Sequence, residues 1–208
     1  MSKIKVCHLY YDLMNLYGEN ANIRAIEKMC EYQGITCEVS LKTINDKIDF
    51  NSYDIYYMGS GDEKSELLVL EDMIKYKDKI KASIESGKTF IITGNASELF
   101  GSYIIDNDVK YDALGVFNYN SVHETFRIVG SVTFSTKLIK EKIIGFQNRC
   151  GVMNDIDKPL FKVINGTGSS INSKTEGIHY KNFYATYVFG PLLIRNPYFT
   201  NYLFSNIM

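Results

Sequence analysis

The sequence contains no tryptophan and only 3 prolines, and it has no strong excess of charge of either sign. Its 208 residues include 23 Lys and Arg against 24 Asp and Glu, which gives a formal net charge of −1. No basic run exceeds a few residues, so the electrostatic signature of phosphate-backbone binding is missing. Nucleic acid is therefore not an expected partner.

The cysteines form neither a Cys-x-x-Cys pair nor a zinc-type spacing with histidine; they are Cys7, Cys30, Cys37 and Cys150. This pattern argues against a disulfide framework and against a structural metal site. We expect reduced thiols, with Cys7 and Cys30 buried, and we expect no metal and no cofactor.

Long hydrophobic runs are also missing. No stretch approaches the roughly 18 apolar residues that a membrane-spanning helix needs, and the first residues lead into a strand rather than a signal segment. We therefore expect a cytoplasmic protein without a membrane span.

The first half of the chain alternates between strand and helix patterns. A length of 208 residues favours one domain, residues 1–208. The hydrophobic spacing predicts strands at 4–10, 36–41, 54–58 and 89–93, a helix near 23–30, and one long amphipathic helix over 67–84. Such alternation predicts an α/β fold with a mainly parallel central sheet and helices on both faces, a three-layer arrangement.

From Tyr111 onward the pattern changes to extended segments without a long helix between them. These segments are predicted at 126–134, 142–146, 160–164 and 183–188. The polar, Gly/Ser-rich stretch 165–174 is predicted to be a loop.

The carboxyl ends of parallel strands form the usual ligand crevice, so the strand tips near Tyr10, Met58, Thr93 and Val188 should converge. One of these tips, Gly59-Ser60-Gly61, offers closely spaced backbone N–H groups suited to an oxyanion hole or an anion-binding nest. The segment 88–101 is built like a nucleophile elbow, but it has Gly94 where a nucleophile would stand.

Five segments, in order along the chain, together resemble the class I glutamine amidotransferases. They are most similar to the branch that includes the glutaminase subunits of lipid II isoglutaminyl synthases and the amidotransferase domains of cobyric acid synthases. The segments are 9–23, 59–62, 145–149, 174–182 and 186–197.

The resemblance implies a cysteine thiolate that attacks the side-chain amide of glutamine, and a histidine that activates it. In the family pattern these residues align with Gly94 and Phe189, so both catalytic side chains are missing here. Glu98, Gln147 and Arg149 also depart from the pattern. We therefore expect no intrinsic glutaminase activity.

A vestigial substrate site is a further implication of the resemblance. It would comprise Gly59, Ser60, Gly61, Asn95 and Arg127. For Arg127 a solvated position on a strand is an equally good interpretation.

The leading hypothesis is a catalytically degenerate amidotransferase-like subunit that binds or scaffolds a Mur-ligase-like synthetase in cell-wall precursor amidation. One alternative is an active amidotransferase with relocated catalytic groups, for example Cys150, whose thiol pKa Arg149 could lower. Another is a sensor that binds glutamine or another small amino acid in the old pocket.

The three histidines have less specific interpretations. His8 lies among apolar residues of the first strand and is expected in the core. His123 and His179 are expected at the surface, in a turn and a loop.

Overall fold

The computed structural model describes residues 3–207, which form two β-sheets and the α-helices that pack against one of them. The strands are β1 Lys3–Leu9, β2 Thr36–Lys42, β3 Ile55–Met58, β4 Thr89–Thr93, β5 Tyr103–Asp106, β6 Val109–Asp112, β7 Asn120–Ser135, β8 Ile143–Asn154, β9 Phe161–Asn165, β10 Thr175–Glu176, β11 Ile178–Tyr180 and β12 Phe183–Thr186. The helices are α1 Asn20–Tyr32, α2 Glu63–Met73, α3 Lys77–Glu85, α4 Leu192–Arg195 and α5 Pro197–Ile207.

The central sheet has the strand order β11-β12-β4-β3-β1-β2, and all its neighbouring strands are parallel except β11 and β12. Strands β3, β4 and β12 are buried along their whole length. Burial on both faces explains why their sequences are continuous apolar runs rather than alternating ones.

Helices cover both faces of this sheet, as the sequence predicts. On one face, α2 and α3 pack through residues such as Val69 and Ile80. On the other face, α1, α4 and α5 pack through residues such as Ile26 and Phe199. The α/β three-layer fold is therefore confirmed.

A second, mainly antiparallel sheet follows, with the order β10-β9-β7-β5-β6 and with β8 paired to β7. Its longest strands, β7 and β8, extend well beyond the predicted segments, and the register between them shifts between His123 and Ile128. This irregularity interrupts the period-two pattern, so only the second part of β7 was recognisable from sequence. Helix α5 was not predicted.

The prediction of one long helix over 67–84 is wrong. Helix α2 begins earlier, because the side chain of Asp62 caps it by accepting a hydrogen bond from the N–H of Ser65 at 2.7 Å. A 3-10 turn, Ile74–Tyr76, then separates α2 from α3. The Tyr76 hydroxyl donates to the carbonyl of Asp46 at 2.8 Å, which ties this break to the preceding loop.

Among residues 3–207, no helix is both long and apolar enough to cross a membrane. The assignment of residues 1–208 to one domain stays a prediction.

Candidate functional site

The elbow after β4 retains the backbone shape of a nucleophile elbow. Strand β4 ends at Thr93, and Gly94 has φ +66° before the chain enters a short 3-10 helix, Gly94–Phe100. This left-handed conformation suits glycine and strains other residues. The sequence predicted this strand-turn-helix geometry, and the structure contains it.

The space above Gly94 is filled by Ser60. A Cβ atom placed on Gly94 would lie 2.4 Å from the Cβ and 2.5 Å from the Oγ of Ser60. Both distances are far inside van der Waals contact, so a cysteine could not enter this position unless Ser60 moved. The packing of Ser60 therefore leaves no space for a side chain at position 94.

The predicted oxyanion loop has its donors occupied from within the chain. The backbone N–H of Gly61 donates to Asn95 Oδ1 at 2.9 Å, and the hydroxyl of Ser60 donates to the same oxygen at 3.0 Å. Asn95 in turn donates from Nδ2 to Glu66 Oε2 at 2.9 Å. The Asn95 side chain therefore takes the place that a substrate oxygen would need.

The ring of Phe189, which the resemblance aligns with the family's histidine, is held between other aromatic rings. It stacks on Tyr17 with centroids 4.4 Å apart and planes 6° apart, and it meets Phe146 edge-on at 6.0 Å. Its backbone pairs with Phe146 through two hydrogen bonds of 3.1 Å. Phe189 has no ionisable group, so it cannot serve as a general base.

The cavity between these residues is very small. Gly94, Phe189, Arg127 and Cys150 share one cavity of about 10 Å³. About this volume is needed to hold a single water molecule. The segments that follow β3, β4 and β12 meet at this cavity, as predicted, whereas Tyr10 at the end of β1 does not line it. The cavity has no room for an amino acid.

Arg127 is on β7, with its side chain partly exposed. It donates to Glu63 Oε1 at 2.7 Å and to Asn148 Oδ1 at 2.8 Å. Its guanidinium is thus already paired within the chain, although it does line the cavity.

Cys150 also lines the cavity, as the relocated-nucleophile alternative requires. Its thiol donates to Glu63 Oε1 at 3.2 Å. Burial, together with this hydrogen bond and the charge of Glu63, raises the thiol pKa to about 12. The alternative in which Arg149 lowers this pKa is not supported, because the Arg149 guanidinium stacks 3.9 Å from the ring centroid of Tyr187 and donates to the carbonyl of Gly168.

The two hydroxyl groups within the elbow segment, on Thr93 and Ser97, both have structural partners. Thr93 Oγ1 donates to the carboxylate of Glu19, and Ser97 Oγ donates to the carbonyl of Thr186 at 3.1 Å. In the part of the chain that the structure describes, neither hydroxyl is hydrogen-bonded to an imidazole.

Glu19 supports the elbow from below and was missed as a site residue. Its carboxylate is fully buried and accepts hydrogen bonds from Tyr57, Thr93 and Asn22. Burial raises its pKa to about 7, although these donors and the N–H of Gly190 act in the opposite direction. The sequence could not predict that Glu19 supports the elbow, because the two are far apart in the chain.

Glu176 has a similar supporting role beneath the segment that leads to Phe189. It accepts hydrogen bonds from the Thr186 hydroxyl at 2.6 Å and from the Tyr187 N–H at 2.7 Å. Burial raises its pKa to about 7. Both carboxyl groups help to fix the strand tips.

The expectation that His123 is exposed is wrong. It is on β7, its side chain is 4% exposed, and Nε2 lies 3.2 Å from Glu98 Oε2 and 3.6 Å from Glu66 Oε2. Nδ1 lies 2.9 Å from Asp106 Oδ1. Burial lowers the His123 pKa, but the hydrogen bond and charge of Glu98 and the charge of Glu66 outweigh burial and raise it to about 10.

The other two histidines are structural. His8 is buried, as expected, and burial lowers its pKa to about 4. His179 is on the short strand β11, not in the loop that was expected. Its ring stacks on Tyr184 with centroids 4.9 Å apart, which leaves it half-buried. Cys7 and Cys30 are buried free thiols, as predicted.

Comparison with known proteins identifies the class to which this fold and elbow belong. Residues 5–197 match the model of the CobB/CobQ-like glutamine amidotransferase domain. The chain therefore belongs to this family, as its motifs indicated.

Two curated relatives are similar over nearly the whole chain. One is the lipid II isoglutaminyl synthase (glutamine-hydrolyzing) subunit GatD of Streptococcus pneumoniae, 30% identical over 93% of this chain and 76% of that protein. The other is the subunit of the same name from Staphylococcus aureus, 29% identical over 98% of this chain and 84% of that protein.

Proposed function

We propose that this protein is a catalytically degenerate glutamine amidotransferase subunit that binds a Mur-ligase-like, ATP-dependent synthetase and supports cell-wall precursor amidation without hydrolysing glutamine. Its place in this pathway rests on the two GatD relatives, which align with 93% and 98% of the chain. A subunit of this kind would act in the cytoplasm.

The observation that carries the proposal is the packing at the elbow. The Ser60 side chain fills the space that a side chain on residue 94 would need, and the Asn95 amide oxygen accepts the hydrogen bond from the N–H of Gly61. Restoring a cysteine alone would not rebuild the site, since both obstacles would remain. The departure from the family pattern thus extends from single residues to the shape of the pocket.

The alternatives have less support. Catalysis by Cys150 requires a thiolate, but a thiol pKa of about 12 leaves almost none near pH 7. A sensor for glutamine requires a pocket for the whole amino acid, whereas the cavity measures about 10 Å³. A segment with the backbone shape of a nucleophile elbow but no nucleophile supports a role in assembly.

The test is to co-express the protein with a Mur-ligase-like synthetase from the same genome and to purify the pair. We expect a stable complex that amidates its precursor with ammonium but not with glutamine as the nitrogen source. The glutamine-hydrolyzing pair from Staphylococcus aureus serves as the positive control. Absence of a complex, or amidation that depends on glutamine, would overturn the proposal.

A further inference from the structure

Glu66, Glu98 and His123, which we call the acid–histidine cluster, meet beside the small cavity and come from three separate elements. Glu66 is on α2, Glu98 follows the elbow, and His123 is on β7. One potential ligand atom from each residue lies within 4.8 Å of the other two. Both glutamates are 0% exposed.

The spacing of these atoms matches that of ligands around one metal ion. Two nitrogen or oxygen ligands, each about 2.0 to 2.2 Å from Zn²⁺, lie roughly 3.4 Å apart in tetrahedral geometry. The His123 Nε2 atom lies 3.2 Å from Glu98 Oε2 and 3.6 Å from Glu66 Oε2. An ion could therefore be bound with little rearrangement of the side chains.

Two oxygens of the acid–histidine cluster have unmet hydrogen-bonding capacity. Within residues 3–207, Glu66 Oε1 and Glu98 Oε1 are buried and have no hydrogen-bond partner. Burying a carboxylate without full compensation is costly, so such groups are usually paired or coordinate a metal. A cation bound by both carboxylates would satisfy these oxygens; the buried Tyr187 hydroxyl, which also has no partner among residues 3–207, lies beside Glu98.

Asp106 orients the imidazole of His123. Its Oδ1 lies 2.9 Å from Nδ1, and a proton on Nδ1 would fill that hydrogen bond. The lone pair of Nε2 would then face the oxygens of Glu66 and Glu98. Because a lone pair and carboxylate oxygens repel each other, either a second proton on Nε2 or a metal ion must lie between the imidazole and the two carboxylates. A carboxylate, a histidine and a metal in this order is a common arrangement in zinc sites.

The charges near the acid–histidine cluster also leave room for a cation. The nearby guanidinium groups are engaged elsewhere: Arg127 pairs with Glu63, and Arg149 donates to backbone carbonyls and stacks on Tyr187. When the imidazole is neutral, no charge within the acid–histidine cluster offsets the carboxylates of Glu66 and Glu98. A divalent cation would offset most of this charge.

We propose that Glu66, Glu98 and His123 bind one Zn²⁺ ion, with Asp106 as a positioning residue. Nitrogen and carboxylate oxygen ligands suit Zn²⁺, and the cavity of about 10 Å³ has room for one further small ligand such as water. The ion joins α2, the elbow and β7. Its role is structural, and it does not depend on the proposed absence of glutaminase activity.

The test begins with the full-length protein stripped of metal by a chelator and titrated with Zn²⁺ by calorimetry. We expect saturable binding of one equivalent and a rise in melting temperature. X-ray absorption at the zinc edge should give nitrogen and oxygen ligands at about 2.0 to 2.1 Å and no sulfur at about 2.3 Å. This spectrum is measured on the unaltered protein, so it does not depend on the folding of any variant.

Variants then assign the ligands. Glu98→Gln keeps the side-chain volume, and we expect it to weaken binding at least about 100-fold, while Asp106→Asn should weaken it about 10- to 100-fold. Glu176→Gln alters another buried carboxyl group and should leave affinity unchanged. Cys30→Ser tests a competing thiol site, since the Cys30 and Cys37 thiols interact.

Several results would overturn the proposal. One is no saturable zinc binding to the unaltered protein, which would leave a protonated His123 as the occupant of the acid–histidine cluster. Others are sulfur ligands in the spectrum, or affinity that survives Glu98→Gln but is lost in Cys30→Ser. None of these results would alter the outcome of the glutamine and ammonium comparison.

Discussion

Two kinds of buried carboxyl group lie around the strand tips, and they differ in how their oxygens are satisfied. Both oxygens of Glu19 and of Glu176 accept hydrogen bonds. By contrast, Glu66 and Glu98 each have a buried oxygen without a partner among residues 3–207. The first pair supports the backbone around the elbow and the segment before Phe189, whereas the second pair is incomplete within the described residues.

The difference suggests which parts of the pocket have been kept. The supports of the elbow and of the segment before Phe189 are complete, so the strand tips retain their positions. At the surface of the pocket, Ser60 packs against Gly94, Asn95 accepts the hydrogen bond from Gly61, and Phe189 stacks on Tyr17. Complete supports beneath a closed pocket are what the proposed assembly role predicts.

Removing Glu19 should have the largest effect on stability. Glu19→Ala leaves the hydroxyls of Tyr57 and Thr93 without their buried acceptor, and we expect a loss of about 4 kcal/mol in the free energy of unfolding. Urea denaturation measures this. Glu98→Ala in metal-free protein is the comparison, and it should cost less than half as much; equal losses would remove the distinction between the two pairs.

Adding a side chain at the elbow should come next. Gly94→Ala combines a left-handed backbone with a collision against Ser60, and we expect it to lower the free energy of unfolding by about 3 kcal/mol. In a Ser60→Gly background the cost should fall by about half, since Cβ and Oγ of residue 60 are then absent. An equal cost in both backgrounds would contradict the packing argument.

Glu176 should make stability depend on pH. Its folded pKa of about 7 lies above its usual 4.5, so the folded state holds the proton more tightly than the unfolded state. The stability contributed by this proton is present below about pH 4.5 and is lost as pH rises to about 7. Glutamine resembles the protonated acid and does not titrate.

We therefore expect Glu176→Gln to gain about 3 kcal/mol in the free energy of unfolding, relative to the unaltered protein, between pH 4.5 and pH 8. Denaturation at several pH values measures this gain. Glu85→Gln is the control. The hydrogen bond from Lys181 lowers the pKa of Glu85, so the effect of this substitution on stability should change with pH in the opposite direction. A pH-independent difference for Glu176→Gln would show that its carboxyl group is not perturbed.

The smallest effect is expected at the mouth of the pocket. Tyr17→Ala removes the ring that stacks on Phe189, and we expect a loss of about 1 kcal/mol in the free energy of unfolding. Tyr32→Ala, at an exposed position on α1, should change stability by less than about 0.5 kcal/mol. Similar losses in both variants would indicate that the stack adds nothing.

The central sheet could be predicted from sequence because its signals are local. The apolar runs of β3 and β4 and the periodicity of α1 each lie within one short window. The break between α2 and α3 at Ile74–Tyr76 could not be predicted, because it depends on a hydrogen bond from the Tyr76 hydroxyl to a loop about 30 residues away. Strand β7 was recognised only in part because of its irregular register.

Only those residues of the candidate site that lie in sequence motifs could be predicted. Gly94 and Phe189 could be located by motif order, and the glycine loop by its position after a strand. The collision with Ser60 and the capture of the Gly61 N–H by Asn95 depend on distances of a few ångströms that no spacing encodes. The acid–histidine cluster combines three elements and has no sequence signature.

The most direct test of the central claim is glutamate release from glutamine by the purified protein, with and without its synthetase. We predict no release above background. We expect restored activity only after the nucleophile, the base and the space around them are rebuilt together, in Gly94→Cys, Phe189→His, Ser60→Gly and Asn95→Gly combined. Glutamate release by the unaltered protein that is lost in Cys150→Ser would contradict the account.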